Sequence, residues 1–412
     1  MPEFLRLLVP SDALRQWLAA LPDPPADRTE PIATELALHR ILAKDVTAPH
    51  PMPSFRRSTV DGYAVQASDT YGAGPSLPAY LRLVGEIAMG QASSLQVESG
   101  TAAIVHTGGM IPSGADAVVM LEDTQKVGDE EVEILKTAAP NQNVIAVGED
   151  VAEGEIVIRR GAGLRPQEIG GLMALGITEI PVAARPRVGI VSTGDEIVEP
   201  GVMPLPGQIR DINSFSLSAL IESEGGAATR YGIVPDDFEW LVAAAREALR
   251  ENDVLVISAG SSVSARDMTA DVVRKLGEPG VLVHGVALRP GKPTILALAA
   301  GKPVLGLPGN PVSAFVVARI FLTPLIHRYL GRSLMPIRPT VEARLSVNIA
   351  SEAGREDYVA VKLTRAAETM LAEPVFGKSN LIFTLVRADG LVRIPPDVTG
   401  LEAGSKVLVD PF

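Results

Sequence analysis

Apolar residues recur at helical spacing near the start of the chain. Leu14, Trp17, Leu18 and Leu21 follow Ser11, which predicts a capped amphipathic helix. Its stripe must bury against this subunit's own core or against a partner subunit. The DPPAD stretch, Asp23–Asp27, ends it, and a second helical pattern runs from Ile32 to Ala43. From about Pro49 to Pro140 the texture changes to short β runs, Tyr80–Val84, Ala102–Val105 and Ala117–Met120, divided by Gly, Pro and Ser. A further β run, Glu155–Arg159, precedes a helix predicted over Pro166–Leu175 and ended by Gly176. Strand and helix then alternate. Strands are predicted at Val188–Ser192, Ala228–Val234, Val254–Ser258 and Val304–Leu307. Helices are predicted at Ser214–Glu224, Asp237–Arg250, Asp267–Leu276 and about Val312–Leu330. That rhythm predicts a parallel, doubly wound sheet with helices on both faces. Past Pro336 short strands return, at Thr340–Val347, Tyr358–Leu363, Leu391–Ile394 and Lys406–Val409, and predict a small barrel or sandwich.

Composition narrows the chemistry. The 412 residues are 46% hydrophobic and 21% charged, enough to bury several ordinary cores. A net charge of −12 argues against a general binder of nucleic acid or of anionic membranes. There is no cysteine, so disulfides and thiolate metal sites are excluded. The five histidines lack HxxxH or HExxH spacing, which makes a histidine-ligated zinc site a poor expectation. No uninterrupted apolar run approaches 18 residues, and the N-terminus lacks the pattern of a secretory signal. The expectation is a cytoplasmic protein without membrane or nucleic-acid partners.

Ligands of doubly wound sheets sit beyond the carboxyl ends of the strands. Four polar turns fall there. Ser192–Glu196 (STGDE) pairs a glycine with carboxylates that suit Mg²⁺, or is a plain solvated turn. Ser258–Ser264 offers small residues and hydroxyls ahead of Asp267, itself a candidate helix cap. Leu288–Pro293 (LRPGKP) carries Arg289 and Lys292 three residues apart, a pattern for phosphate or oxyanion, and is not a Walker A loop. Gly306–Ser313 (GLPGNPVS) is a rigid turn opening the long helix. Together they read as a Mg²⁺-dependent site for a phosphorylated, anionic ligand. No dinucleotide fingerprint or hydrolase triad is present.

These motifs, in this order, resemble the molybdopterin molybdenumtransferases, the MoeA and gephyrin E-domain family. STGDE, RPGKP (Arg289–Pro293) and LPGNPVSA (Leu307–Ala314) carry the resemblance. It extends upstream through Ser58–Ala64 (STVDGYA), Thr107–Gly109, Pro112–Val118 and Gly148–Asp150. Downstream it includes Gly354–Arg355 and Gly377–Leu381. Two departures stand out. Asn143–Val147 (NVIAV) replaces an arginine-rich run, and Val60 replaces Met.

The resemblance implies an enzyme that inserts molybdenum from molybdate into adenylylated molybdopterin, with Mg²⁺, releasing AMP. It implies an elongated N-terminal unit (1–48 with 141–184), a β-rich domain (49–140), a molybdopterin-binding three-layer α/β domain (185–335) and a C-terminal β-barrel (336–412). It also implies a homodimer with the site between subunits. Asp61, Thr107 and Asp150 would come from the partner side. Glu196, Asp236 and Asp267 would hold metal and act with Asp61 in catalysis. Thr193, Gly194, Ser261, Arg289, Lys292, Pro308, Asn310, Arg355 and Ser379 would bind substrate. Two alternatives stay open: a catalytically weak scaffold, motivated by the missing arginines, and a molybdopterin adenylyltransferase, an activity that the first reading assigns to a separate partner protein.

Overall fold

The computed structural model describes residues 7–25, 28–259, 263–332, 339–366 and 369–412, with side chains of 263–267 also outside the description. Helix α1 (Pro10–Ala20) begins on Pro10, with Val9 at its cap rather than Ser11. The proline supplies a preset φ at the first helical position, so no side-chain cap is needed. Its stripe buries in this subunit's own core. Ala13 and Trp17 are fully buried, and Trp17 Nε1 donates to the Ala297 carbonyl at 2.9 Å.

The helix expected over Ile32–Ala43 does not form. Strand β1 (Thr29–Ala33) and one 3₁₀ turn, Thr34–Leu36, stand there instead. The reason is a long-range partner. β1 pairs antiparallel, Thr29 opposite Ala183, with a strand about 150 residues further on.

The next unit is a six-stranded sheet. It comprises β2 (Gly62–Val65), β3 (Ala79–Glu86), β4 (Thr101–Val105), β5 (Ala117–Met120), β6 (Thr124–Val127) and β7 (Glu131–Ile134), in spatial order β5-β2-β4-β3-β7-β6. Alternating residues feed two cores, one with Tyr63 and Val65, the other with Ala64 and Val105. The chain then returns through helix α2 (Pro166–Ala174) to β8 (Glu179–Ala183), the partner of β1.

The α/β unit follows in chain order: β9 (Arg187–Thr193), α3 (Asn213–Ser223), β10 (Ala227–Val234), α4 (Phe238–Glu251), β11 (Val254–Ala259), α5 (Val263–Leu276), β12 (Pro279–His284), the two-residue β13 (Leu288–Arg289), β14 (Ile295–Ala299) and β15 (Lys302–Pro308). Its sheet runs β10-β9-β11-β15-β14-β12. The first four strands are parallel, as expected, and an antiparallel pair completes the edge. Both faces are covered, which is why these strands read as continuous apolar runs. Ile190 and Val256 pack toward α3 and the last helix, while Val191 and Ile257 pack toward α4 and α5.

That last helix is continuous over 19 residues, Pro311–Tyr329. It consists of α6 (Pro311–Val317), a π-helical turn at Ala318–Leu322 and α7 (Thr323–Tyr329). It is long and apolar enough to cross a membrane, yet most of it is buried in this core.

The C-terminal unit holds β16 (Val341–Leu345), β17 (Glu356–Ala366), β18 (Thr369–Pro374), β19 (Gly390–Ile394) and β20 (Lys406–Pro411). Pairing runs β17-β18-β16-β20-β19 and back to β17, a closed barrel around Leu345, Val361, Val392 and Val409. Backbone pairing and an ion pair both bind it to the α/β unit. β13 pairs in parallel with the start of β17, and buried Arg319 donates to Asp410 Oδ2 at 2.8 Å.

Two expectations follow. Trp17→Ala empties a filled site and removes a buried hydrogen bond, so stability falls by about 3–5 kcal/mol, read as a lower midpoint in chemical denaturation. The second concerns Asp253. Burial pushes its carboxyl up, but the hydrogen bond from Arg28 at 2.6 Å and that from the Arg187 amide outweigh it and hold the group below its ordinary range. A depressed acid stabilises the fold above its unfolded value, about 3.9, and loses that contribution as pH falls through the native value. Thermal melts should therefore show Asp253→Asn well below the parent at pH 7, with the gap closing in strong acid.

Candidate active site

The site is built in two halves, and a turn connects them. The first half lies at the carboxyl ends of β9, β10 and β11. Thr193, buried as the last residue of β9, donates its hydroxyl to Asp236 Oδ1 at 2.7 Å. The Asp236 amide in turn donates to Asp195 Oδ1 at 3.1 Å. Gly194 sits between them, and a side chain there would have to displace its neighbours. A Cβ there would lie 2.8 Å from Glu196 Oε2 and 2.9 Å from Ile197 Cδ1. Glycine thus lets the Glu196 carboxylate fold back over the strand end.

Beside them, Ser192 donates to Asp211 Oδ2 at 3.1 Å, and Asp211 Oδ1 accepts the Ser214 amide at the start of α3. Asn213 donates to both Ser258 Oγ at 2.8 Å and the Gly309 carbonyl at 2.9 Å. Its own Oδ1 is buried with no hydrogen-bond partner among the described residues.

The second half is a cleft of about 830 Å³ between the α/β unit and the barrel. Arg289, Lys292, Pro308 and Asn310 enter from one side, Arg355 and Ser379 from the other. The LRPGKP turn packs closely on α6. At Gly291, with φ near +121°, a Cβ would fall 2.4 Å from Val317 Cγ2. The barrel meets the GLPGNPVS turn directly, since Asn310 Nδ2 donates to Ser379 Oγ at 3.1 Å and the Val312 amide to the Ser379 carbonyl at 3.1 Å. Hydrogen bonds therefore run Ser258–Asn213–Gly309 on one side of this turn and Asn310–Ser379 on the other.

Cleft acids balance part of the charge. Asp357 pairs with Arg355 at 2.9 Å and Arg289 at 3.6 Å, and Glu352 pairs with Arg355 at 2.8 Å. Tyr358 also lines the cleft, and burial together with the charge of Glu356 raises its hydroxyl far above the usual phenol range, so it stays protonated and donates to Glu356 at 3.1 Å.

The expected residues thus divide. Thr193, Gly194, Glu196 and Asp236 gather at the strand ends. Arg289, Lys292, Pro308, Asn310, Arg355 and Ser379 share the cleft. Asp61 and Thr107 meet on the β-rich unit, where Asp61 Oδ1 accepts the Thr107 amide at 2.8 Å and its hydroxyl at 3.2 Å. Neither lines the cleft, and nor does Asp150, whose amide donates to the Met52 carbonyl. Ser261 lies outside the described residues. Helix α5 begins at Val263, so Asp267 sits within the helix instead of capping it, and its side chain is outside the description. Among the described residues no three His, Asp or Glu gather as a metal site.

Sequence reasoning missed Asp211, Asn213 and Asp357. The first two had a signal, an Asp and an Asn just ahead of a predicted helix at Ser214. Asp357 had only its place two residues after Arg355.

Three family models match the chain. "MoeA N-terminal region (domain I and II)" covers residues 9–176, "Probable molybdopterin binding domain" covers 189–328 and "MoeA C-terminal region (domain IV)" covers 342–412. Molybdopterin molybdenumtransferase 2 of Mycobacterium tuberculosis is 35% identical, over 90% of this chain and 91% of that protein. Molybdopterin molybdenumtransferase of Haemophilus influenzae is 32% identical, over 98% and 99%. The crystal structure of a molybdopterin biosynthesis moeA protein from Pyrococcus horikoshii superposes with a TM-score of 0.87 at 31% identity, over 99% of this chain and 100% of that one.

Asn213 is the bridge whose removal is most informative. Asn213→Ala leaves Ser258 and the Gly309 carbonyl without their donor, and should cost about 1–3 kcal/mol, measured as a lower melting temperature.

Proposed function

The chain belongs to the MoeA family of molybdopterin molybdenumtransferases, enzymes of molybdenum cofactor biosynthesis, and from that premise we propose that it inserts molybdenum from molybdate into adenylylated molybdopterin, with Mg²⁺ and release of AMP. The observation that carries this reading is the cleft in which Arg289 and Lys292 face Arg355 and Ser379. Molybdate and a phosphoanhydride repel each other, and cations on both walls offset that repulsion. Arginine suits tetrahedral oxyanions because its planar fork gives paired donors. The pterin dithiolene supplies sulfur to molybdenum, so a chain without cysteine is adequate.

The strand-end half fits Mg²⁺ by its donor set. Asp236 and Glu196 are hard oxygen donors of the kind Mg²⁺ takes, alongside water and substrate phosphate. When bound, Mg²⁺ would polarise the phosphoanhydride and screen its charge. The residues themselves orient and hold. Thr193 fixes Asp236 through Oδ1, and Gly194 permits the Glu196 carboxylate its close approach.

The protein acts, in this reading, as a cytoplasmic homodimer that brings Asp61, Thr107 and Asp150 of one subunit to the cleft of the other. Their position on a separate unit, away from the cleft of their own chain, supports it. A dimer mass in light scattering is the expected result, and a monomer at micromolar concentration would contradict it.

The test of the activity is AMP release from adenylylated molybdopterin with Mg²⁺, with and without molybdate. Molybdate-dependent release is expected, and Arg355→Ala should slow it roughly tenfold or more at low molybdate. Binding without release would leave a scaffold. Consumption of ATP with plain molybdopterin would make it an adenylyltransferase.

A further inference from the structure

We propose that Asp357 is a positioning residue for oxyanion binding. It fixes the guanidiniums of Arg289 and Arg355 on either side of itself, across the boundary between the α/β unit and the barrel. The proposal rests on the reading of this cleft as the oxyanion site.

Asp357 is not a surface acid that happens to meet a base. Its side chain is 5% exposed, against 62% for Arg289 and 26% for Arg355. Each oxygen serves a different arginine. Oδ1 accepts from Arg355 Nε at 2.9 Å, and Oδ2 faces Arg289 Nη1 at 3.6 Å. The backbone beneath is registered, since Arg289 stands opposite Asp357 in the β13–β17 pair and the Glu356 amide donates to the Ala287 carbonyl at 2.9 Å.

Glu352 takes a further edge of Arg355, through Nη1 at 2.8 Å. Arg355 Nη2 and the guanidinium nitrogens of Arg289 make no hydrogen bond among the described residues. They belong to the two guanidiniums that line the cleft with Lys292 and Ser379. A guanidinium anchored along one edge presents its other edge in a fixed direction. Without the carboxylate, two neighbouring cations would repel and turn apart.

This role predicts an effect whose sign is diagnostic. By charge alone, removing a carboxylate from a cationic cleft strengthens anion binding. By positioning, removing it weakens binding. Asp357→Asn keeps the volume and deletes the charge, so the two effects oppose each other in one variant.

The experiment is calorimetric titration of molybdate into the full-length protein, for the parent and for Asp357→Asn, Asp357→Glu and Arg355→Ala, with melting temperatures alongside. Asp357→Asn is expected to bind molybdate roughly tenfold more weakly, Asp357→Glu less severely, and the loss should not track the melting temperature. Parental or tighter binding by Asp357→Asn, with Arg355→Ala weakened, overturns the positioning role and leaves the oxyanion site standing. Parental binding by Arg355→Ala as well overturns the site and the proposal together. Should Asp357→Asn fail to fold, Asp357→Glu decides: its carboxylate is displaced by one methylene, so weaker binding supports the role and parental binding refutes it.

Discussion

Like charges must be held facing one another across a seam between two folding units, and a very short piece of β-pairing meets that requirement. Leu288 and Arg289 align in parallel with Glu356 and Asp357. This pairing places the LRPGKP turn against the first residues of the barrel, and Arg355 directly beside it. The turn cannot retreat, because Gly291 already touches Val317 on the helix behind. The barrel cannot rotate freely, because Arg319, buried in the π-helical turn, grips Asp410 and the Pro411 carbonyl. A buried arginine without partners would be costly, so this tie is also a constraint on the sequence at both ends.

The other half of the site follows from sheet geometry. Parallel strands end together, so Thr193, Val234 and Ser258 deliver their loops to one edge. Side chains there bond to each other, and each bond specifies the next. Asn213 is the member that reaches furthest, because its amide spans from Ser258 on β11 to Gly309 after β15. The adjacent Asn310 touches the barrel. Side-chain oxygens thus collect on one side of the turn and cations on the other.

Much of this was legible because the central strands are buried on both faces. Val188–Ser192 and Val254–Ser258 announce themselves as β-branched runs, and the turns behind them carry the polar residues. The edge pair β12 and β14 was harder to see, since Pro279 and a mixed Leu/Ala run give no alternation. Ile32–Ala43 misled because local spacing suggested a helix while the decisive partner, Glu179–Ala183, lies in a distant part of the chain. Ser11 misled because a proline at the first helical position made a cap unnecessary. Asp357 was invisible for a different reason. Nothing in a linear string says that a carboxylate at one position will sit between an arginine two residues away and another 68 residues before it.

The hydrogen bond between Asn310 and Ser379 has a consequence for how such a protein can change over generations. Two segments nearly seventy positions apart must stay matched, and so must Arg289 and Asp357. Genetic exchange that swaps the barrel alone would deliver one wall of the cleft without the partner it was selected against. The α/β unit and the barrel are therefore expected to be inherited as a pair, and to drift in step, even though each encloses a hydrophobic core of its own.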